Sequence, residues 1–195
     1  MTRFDKLLVL DMDETLVHAD ERLVRHEFVV GPYRVVRRPY VDRFLAFAFE
    51  HFAAVGVWTA ASRGFAEPVL DQLLDRGRLA FLWCSDRCGR RWDPETGEII
   101  PLKDLRKLKK RGHDPRKVLF VDDSPEKLQR SYGNLVAVRP FVGDPGDDEL
   151  LHLEHYLREL GHAENVRTIE KRSWRSRRPE AARPTTSPRI EPPAT

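Results

Sequence analysis

Short apolar runs separated by amphipathic segments dominate the first 160 positions of the chain. Four of these runs are rich in β-branched residues and do not alternate with polar residues, which is typical of strands buried on both faces of a parallel sheet. The four predicted strands occupy residues 7–10, 53–58, 118–121 and 135–138, and a fifth is predicted at residues 79–83. These runs predict a central sheet of mostly parallel strands.

Segments with helical spacing of apolar residues lie between the predicted strands. The predicted helices cover residues 40–52, 65–76, 103–111 and 147–160. Gly77 and Gly112 follow two of them, at positions where glycine commonly ends a helix, and Ser124-Pro125 predicts the start of a further helix. Because strands alternate with helices, we predict an α/β fold with a Rossmann-like parallel sheet and helices on both of its faces.

Two insertions depart from this alternation. Residues 27–30 and 33–37 flank Gly31-Pro32 and predict a short β-hairpin inserted after the first strand. Residues 84–101 contain further turn signals and are long enough only for a flap or a small sheet. Since a stable independent core usually needs about 40 residues or more, neither insertion predicts a folded cap domain.

Residues 163–195 differ in composition from the rest of the chain. Apolar periodicity fades there and five prolines lie between Pro179 and Pro193, so we expect a disordered tail over 163–195 after one domain over 1–162. The tail carries eight basic and four acidic residues, whereas the whole chain has a net charge of +3. Contact with nucleic acid is therefore predicted only through this basic tail, and a solubilising end is the simpler interpretation.

Composition narrows the class of protein. Hydrophobic residues make up 41% and charged residues 33%, as in globular proteins. The apolar runs are too short for a spanning helix of about 20 residues, and the first residues lack the apolar core of a signal peptide. Two cysteines, Cys84 and Cys88, are too few for a disulfide framework or a four-ligand zinc site. We expect a reduced protein with no membrane partner, cytoplasmic, or nuclear in a eukaryotic cell.

Polar side chains directly follow three of the predicted strands. Asp11 and Asp13 follow the first strand, Thr59 follows the strand at 53–58, and Asp122 and Asp123 follow the strand at 118–121. An isolated Asp-x-Asp is more often the cap of a turn, but the carboxyl ends of parallel strands meet at one sheet edge, where ligands bind. Carboxylates gathered there repel one another, and oxygen ligands without a His/Cys cluster favour Mg²⁺ over Zn²⁺ as the neutralising ion.

The residues around these strand ends resemble a known superfamily. Asp-Met-Asp-Glu-Thr-Leu-Val-His at residues 11–18 resembles the first motif of the haloacid dehalogenase superfamily, in its branch of RNA polymerase II C-terminal-domain phosphatases and NLI-interacting-factor-like proteins. Three further matches follow in the order of that branch, at residues 58–62, 103–105 and 121–125, and Arg38-Pro39 precedes the first predicted helix. The resemblance covers residues 6–160.

The resemblance implies a phosphatase and a role for each matched residue. Asp11 would be the nucleophile that forms an aspartyl-phosphate, and Asp13 the general acid and base, with its backbone carbonyl facing the metal. Thr59 and Lys103 would bind the phosphoryl group. The implied metal ligands for Mg²⁺ are Asp11, Asp13, Asp122 and Asp123.

The substrate implied by the resemblance is a phosphorylated macromolecule, preferably a phosphoserine or phosphothreonine segment of a protein. A nucleic-acid end phosphatase and a non-catalytic module that binds a phosphorylated partner remain alternatives. Smaller members of the branch carry Asp-Asn where this chain has Asp122-Asp123, whereas larger relatives carry Asp-Asp, so the subgroup stays open.

Overall fold

The structure of the chain is a computed structural model that describes residues 3–176. Its strands are β1 Phe4–Leu10, β2 Val17–Asp20, β3 Phe28–Val30, β4 Tyr33–Arg37, β5 Phe52–Trp58, β6 Leu82–Trp83, β7 Gly89–Asp93, β8 Glu98–Leu102, β9 Val118–Asp122 and β10 Leu135–Ala137. Its α-helices are α1 Val41–His51, α2 Arg63–Asp71, α3 Arg106–Lys109 and α4 Glu149–Gly161. Within the described range, no helix is both long enough and apolar enough to cross a bilayer.

The central sheet has five parallel strands in the order β10-β9-β1-β5-β6. Leu10, the last residue of β1, lies opposite Val57 of β5 on one side and Val121 of β9 on the other. The three inner strands therefore end at the same level. This confirms the predicted sheet, and it brings the polar residues that follow these strands to one edge.

Side chains of β1 alternate between two apolar cores, one on each face of the sheet. Leu8 and Leu10 pack into the larger core with α1, α2 and α4. Leu7 and Val9 pack into the smaller core with Leu108 of α3 and with the segment Pro125–Asn134. Helical segments thus cover both faces, as the fold class predicted, and both cores support the strand that ends at Asp11.

The two insertions form small antiparallel sheets. The predicted hairpin of β3 and β4 is extended by β2, which pairs with β4 and gives a three-stranded sheet in the order β2-β4-β3. The second insertion forms the β7–β8 hairpin, which ends directly before Lys103. With three and two strands, both insertions in residues 3–176 are too small to be folded cap domains.

Several predicted boundaries differ from the structure for local reasons. The strand expected at 79–83 is shortened to β6. The helix expected at 65–76 ends at Asp71, and the Asp75 carboxylate accepts the Gly77 N–H to start a 3₁₀ turn instead. The helix expected from Ser124 is a kinked 3₁₀ segment, Pro125–Asn134, because the Ser124 hydroxyl binds the Asp123 carboxylate rather than capping a helix.

The helix expected at 103–111 is reduced to α3. The backbone N–H of Lys103 donates to the carbonyl of Lys127 at 2.8 Å, which holds Lys103 as an extension of β8 and outside any helix. Gly112 then follows with φ +88°, as a residue that ends a helix should.

Residues 163–176 are ordered, which corrects the expectation of a disordered tail from residue 163. Val166 and Trp174 are buried, and the Trp174 ring stacks on Tyr156 of α4 with 5.5 Å between ring centroids. Arg175 pairs with Asp148 at 2.6 Å. Two widely spaced apolar side chains anchor this segment, and they are too few to show periodicity in the sequence. Residues 177–195 lie outside the described part of the chain, so a separate tail there stays a prediction.

Trp174→Ala is expected to lower the free energy of unfolding by about 3 kcal/mol or more, because it removes a large buried aromatic side chain. It also removes the hydrogen bond from the indole N–H to the Ala137 carbonyl, 2.6 Å long. Urea denaturation would measure the loss. Trp92→Ala is the matched control because Trp92 is 61% exposed; equal effects of both substitutions would contradict the docking of residues 163–176.

Candidate active site

The predicted polar residues meet at the carboxyl edge of the central sheet. Asp11 follows β1, Thr59 follows β5 and Asp122 is the last residue of β9. All three side chains are almost fully buried, although they lie at the edge of the sheet rather than within its cores. The structure therefore brings together the residues predicted from the strand ends.

Lys103 is fully buried between two of these carboxylates. Its Nζ lies 2.7 Å from Oδ1 of Asp11 and 2.6 Å from Oδ2 of Asp122. Burial by itself lowers the pKa of Lys103, but the charges of Asp11 and Asp122 outweigh burial and raise the pKa above its usual value. Lys103 is therefore a permanent cation that positions Asp11.

Asp13 lies beside Asp11 and is oriented by Thr59. The Thr59 hydroxyl donates to Oδ2 of Asp13 at 2.9 Å, and it accepts the backbone N–H of Ala61 at 2.9 Å. Burial, reinforced by the charge of Asp11, raises the pKa of Asp13 to about 6. A carboxyl group with such a pKa can both release and accept a proton near neutral pH.

Three carboxylates form a compact acidic group. Asp11, Asp122 and Asp123 each offer an oxygen, and these oxygens lie within 4.8 Å of one another. Burial, followed by the charge of Asp11, raises the pKa of Asp122 to about 7. The side chain of Asp13 is not a member of this group, and the metal contact expected of its backbone carbonyl stays a prediction.

The acidic group fits a divalent cation. Oδ1 of Asp123 is buried and has no hydrogen-bond donor among residues 3–176, and a buried carboxylate oxygen without a partner is costly. Both oxygens of Asp122 are engaged, by the Ser124 N–H at 2.9 Å and by Lys103. The oxygen donors available to a cation thus come foremost from Asp123 and Asp11, a donor set suited to Mg²⁺.

Lys127 is a site residue that the sequence analysis missed. Its Nζ lies 3.6 Å from Oδ2 of Asp11, on the other carboxylate oxygen from Lys103. Burial lowers the pKa of Lys127, but Asp11 and Asp122 outweigh this and raise it. Its position four residues after Asp123 was the one feature of the sequence that could have indicated this role. The helix predicted there did not indicate that its side chain reaches Asp11.

Arg38 holds the backbone of the loop that carries Asp13. Its guanidinium is buried and donates to both carboxylate oxygens of Asp147 at 2.8 Å, and to the Thr15 carbonyl at 3.2 Å. Glu14 in this loop has φ +55°, an uncommon value for a residue other than glycine. The carbonyl of Glu14 accepts the Phe141 N–H at 2.7 Å, which fixes the turn from both sides.

Comparisons with known proteins agree with this geometry. Residues 6–167 match the family model of NLI interacting factor-like phosphatases. The chain is 36% identical over 169 residues to CTD small phosphatase-like protein 1 of Caenorhabditis elegans, covering 80% of this chain and 31% of that protein. It is 34% identical over 176 residues to the human carboxy-terminal domain RNA polymerase II polypeptide A small phosphatase 2, covering 83% of this chain and 59% of that protein.

A solved structure with the same fold is that of Fcp1, described as an essential RNA polymerase II CTD phosphatase. The TM-score is 0.60 at 19% identity, over 82% of this chain and 62% of that one. The chain spans only part of its curated relatives, 31% and 59% of the two named above. The family model nevertheless covers all of the central sheet except the first two residues of β1, and every residue of the acidic edge, and the chain belongs to the NLI interacting factor-like phosphatase family.

Proposed function

We propose that this chain is a phosphatase that hydrolyses phosphomonoesters through a phosphorylated Asp11, with Mg²⁺ as its cofactor. The observation that carries the proposal is the environment of the Asp11 carboxylate. One of its oxygens is held by Lys103 at 2.7 Å, and the neighbouring carboxyl group of Asp13 has a raised pKa. A fixed nucleophile beside a group that can exchange protons is what a double-displacement mechanism requires.

In the first step, an oxygen of Asp11 attacks phosphorus and the bond from phosphorus to the leaving oxygen breaks. Asp13 in its protonated form donates its proton to that oxygen, so the alcohol leaves neutral. Thr59 keeps the Asp13 carboxyl group oriented, and we assign to Thr59 and Lys103 the binding of phosphoryl oxygens. The ammonium of Lys103 offsets the negative charge that accumulates as the dianion approaches Asp11.

In the second step, Asp13 is ionised and takes a proton from water, and the resulting oxygen attacks phosphorus. The bond from phosphorus to Asp11 breaks, inorganic phosphate is released, and Asp13 returns to its protonated form. Lys103 and Lys127 stabilise the carboxylate of Asp11 as it leaves, since both ammonium groups lie within 4 Å of it.

Asp11, Asp123, Asp122 and the backbone carbonyl of Asp13 are the residues that would hold the cation. When bound, Mg²⁺ neutralises the acidic group and polarises a phosphoryl oxygen. The buried, unpartnered Oδ1 of Asp123 supports this assignment.

A phosphoserine or phosphothreonine segment of a protein is the proposed substrate. Its support is that relatives and a solved structure with this fold are named as phosphatases of an RNA polymerase II carboxy-terminal domain, and that both insertions are small sheets rather than folded cap domains. A cytoplasmic location, or a nuclear one in a eukaryotic cell, is part of the same proposal.

Contact with nucleic acid has less support than the sequence suggested. Arg172 and Arg175, two of the tail arginines, are paired with Glu170 at 2.7 Å and with Asp148 at 2.6 Å, so their charge is largely compensated. A non-catalytic binding module would have no need of an oriented Asp13 with a raised pKa. We therefore favour the phosphatase over both alternatives.

Chelation is expected to remove turnover of a small chromogenic phosphate ester, and added Mg²⁺ is expected to restore it. Mg²⁺ should also raise the melting temperature of the protein, because a ligand that binds only the folded state stabilises it. Asp123→Asn is expected to reduce this rise, since it removes a carboxylate charge at the unpartnered oxygen. Full activity in excess chelator would refute the role of the metal.

A further inference from the structure

A group of basic residues extends from the turn after β6, next to Thr59, to the end of α3, and takes no part in the chemistry described above. β6 pairs with β5 and ends at Trp83, so the turn Ser85–Arg87 leaves the sheet at the same edge as Thr59. The Cys88 thiol, directly after this turn, lies 3.7 Å from the Thr59 carbonyl. Arg87 is therefore attached to the wall of the site.

Arg87, Lys107 and Arg111 form what we call the Trp83 basic cluster. The guanidinium groups of Arg87 and Arg111 lie over the Trp83 ring, at 5.1 and 4.8 Å from its centroid. The ammonium group of Lys107 donates to the Arg87 carbonyl at 2.5 Å. These contacts bring three cations together although two of them belong to α3 or the turn after it.

The cluster lacks the anions that such a group needs. No carboxylate in the described part of the chain lies within ion-pairing distance of Arg87, Lys107 or Arg111, whereas the neighbouring Arg106 is paired with Asp104 at 2.6 Å. The Nε of Arg87 is buried and has no acceptor within residues 3–176. A buried donor without a partner is rare in folded proteins and calls for an unseen acceptor.

We propose that the Trp83 basic cluster binds an anionic side chain of the substrate that flanks the hydrolysed phosphoserine or phosphothreonine. The planar fork of Arg87 suits the two oxygens of a carboxylate or of a second phosphate. This inference rests on the proposed function, and it adds a preference for peptides that are acidic, or phosphorylated twice, within a few residues of the reacting group.

The shape of the surroundings favours a peptide over a nucleic acid. Trp92 and Ile99 lie opposite each other on the β7–β8 hairpin and are both more than half exposed, which offers an apolar surface to a neighbouring side chain. Exposed cations without a carboxylate partner also lie outside the cluster in the described residues, at Arg90 and Lys110, so the choice of a peptide rests on this apolar surface and on the proposed function.

The test compares three phosphoserine peptides of one sequence in which a single flanking position is Gln, Glu or a second phosphoserine. Both kcat/KM and the dissociation constant, from fluorescence anisotropy, would be measured for the unchanged protein, for Arg87→Gln and for Arg90→Gln. Arg90 is the matched control because it is exposed and belongs to the same segment, but has no place in the cluster. A 5′-phosphorylated oligonucleotide provides the nucleic-acid arm.

The unchanged protein is expected to favour the anionic peptides by about tenfold, the gain typical of one hydrogen-bonded charge pair at a partly buried site. Arg87→Gln should abolish this preference and Arg90→Gln should retain it. If Arg87→Gln does not fold, Arg111→Gln, at an exposed position, should reduce the preference.

Equal binding of the neutral and anionic peptides by the unchanged protein would overturn the inference and leave the proposed function intact. So would equal losses in Arg87→Gln and Arg90→Gln, because the effect would then be one of net charge alone. Tighter binding of the oligonucleotide than of any peptide would overturn the choice of a peptide. Preferential binding without hydrolysis of any peptide would instead refute the proposed function.

Discussion

Asp11→Asn is expected to reduce turnover of any phosphate ester by about 10⁴-fold or more, the scale seen when a covalent nucleophile is removed. An amide of nearly the same shape cannot form the phosphorylated intermediate, so acid-quenched protein should carry no phosphoryl group. Because the substitution is isosteric and Lys103 keeps its ion pair with Asp122 at 2.6 Å, the fold should persist. Steady-state kinetics and mass spectrometry of quenched protein would measure both effects.

Asp13→Asn tests the second half of the same mechanism. It removes the proton donor and base but keeps the nucleophile, so Asp11 should still be phosphorylated slowly by esters with good leaving groups, and the phosphorylated protein should then accumulate. Asp114→Asn is the matched control, since Asp114 precedes β9 at the opposite edge of the sheet and Asn can replace its capping role. Appreciable activity in Asp11→Asn would refute the covalent mechanism.

Lys103→Met is expected to cost about 3–5 kcal/mol of folding free energy, because removing one partner of a buried ion pair leaves the other charges uncompensated. Here the uncompensated charges are Asp11 and Asp122, both buried. Turnover should fall about 10²–10³-fold, as when a stabilising donor is removed from a transition state. Lys109→Met, an exposed position on α3, is the control for the chemical change itself.

A second substitution separates the two roles of Lys103. In Lys103→Met with Asp122→Asn, one of the two uncompensated carboxylates is neutral, so urea denaturation should show part of the lost stability restored. Turnover should remain low, because the phosphoryl group still lacks its cation. Recovery of turnover together with stability would mean that Lys103 acts only on the fold and would remove it from the proposed mechanism.

Much of the sheet could be predicted from the sequence because each buried strand is recognisable from its own run of apolar residues. A run of apolar residues that is buried on both faces stays apolar at every position, as in residues 7–10 of β1 and residues 118–121 of β9. Chain direction then determines which end of each strand carries Asp11 or Asp122. The meeting of these residues at one edge follows from parallel pairing, and the structure shows the register that aligns them.

Local sequence patterns predicted helix boundaries less well where side chains form hydrogen bonds with backbone N–H groups. The helix predicted at 65–76 ends early because the Asp75 side chain binds the Gly77 N–H, and apolar spacing cannot express that competition. Residues 163–176 look like a tail because only two apolar side chains there, Val166 and Trp174, are buried, and they are widely spaced. Part of their partner surface is formed by a segment distant in sequence, since the Trp174 indole N–H donates to the carbonyl of Ala137 in β10.

The sequence by itself determined the fold class, the edge at which the site lies and the acidic residues that approach it. The resemblance had already selected Lys103, but only the tertiary structure decided that Lys127 also reaches Asp11, and that Arg38 pairs with Asp147 across 109 positions of the chain. The reason is physical: hydrophobic periodicity encodes which face of an element is buried. The burial and pairing of a single charged side chain depend on desolvation and on partners that distant segments supply.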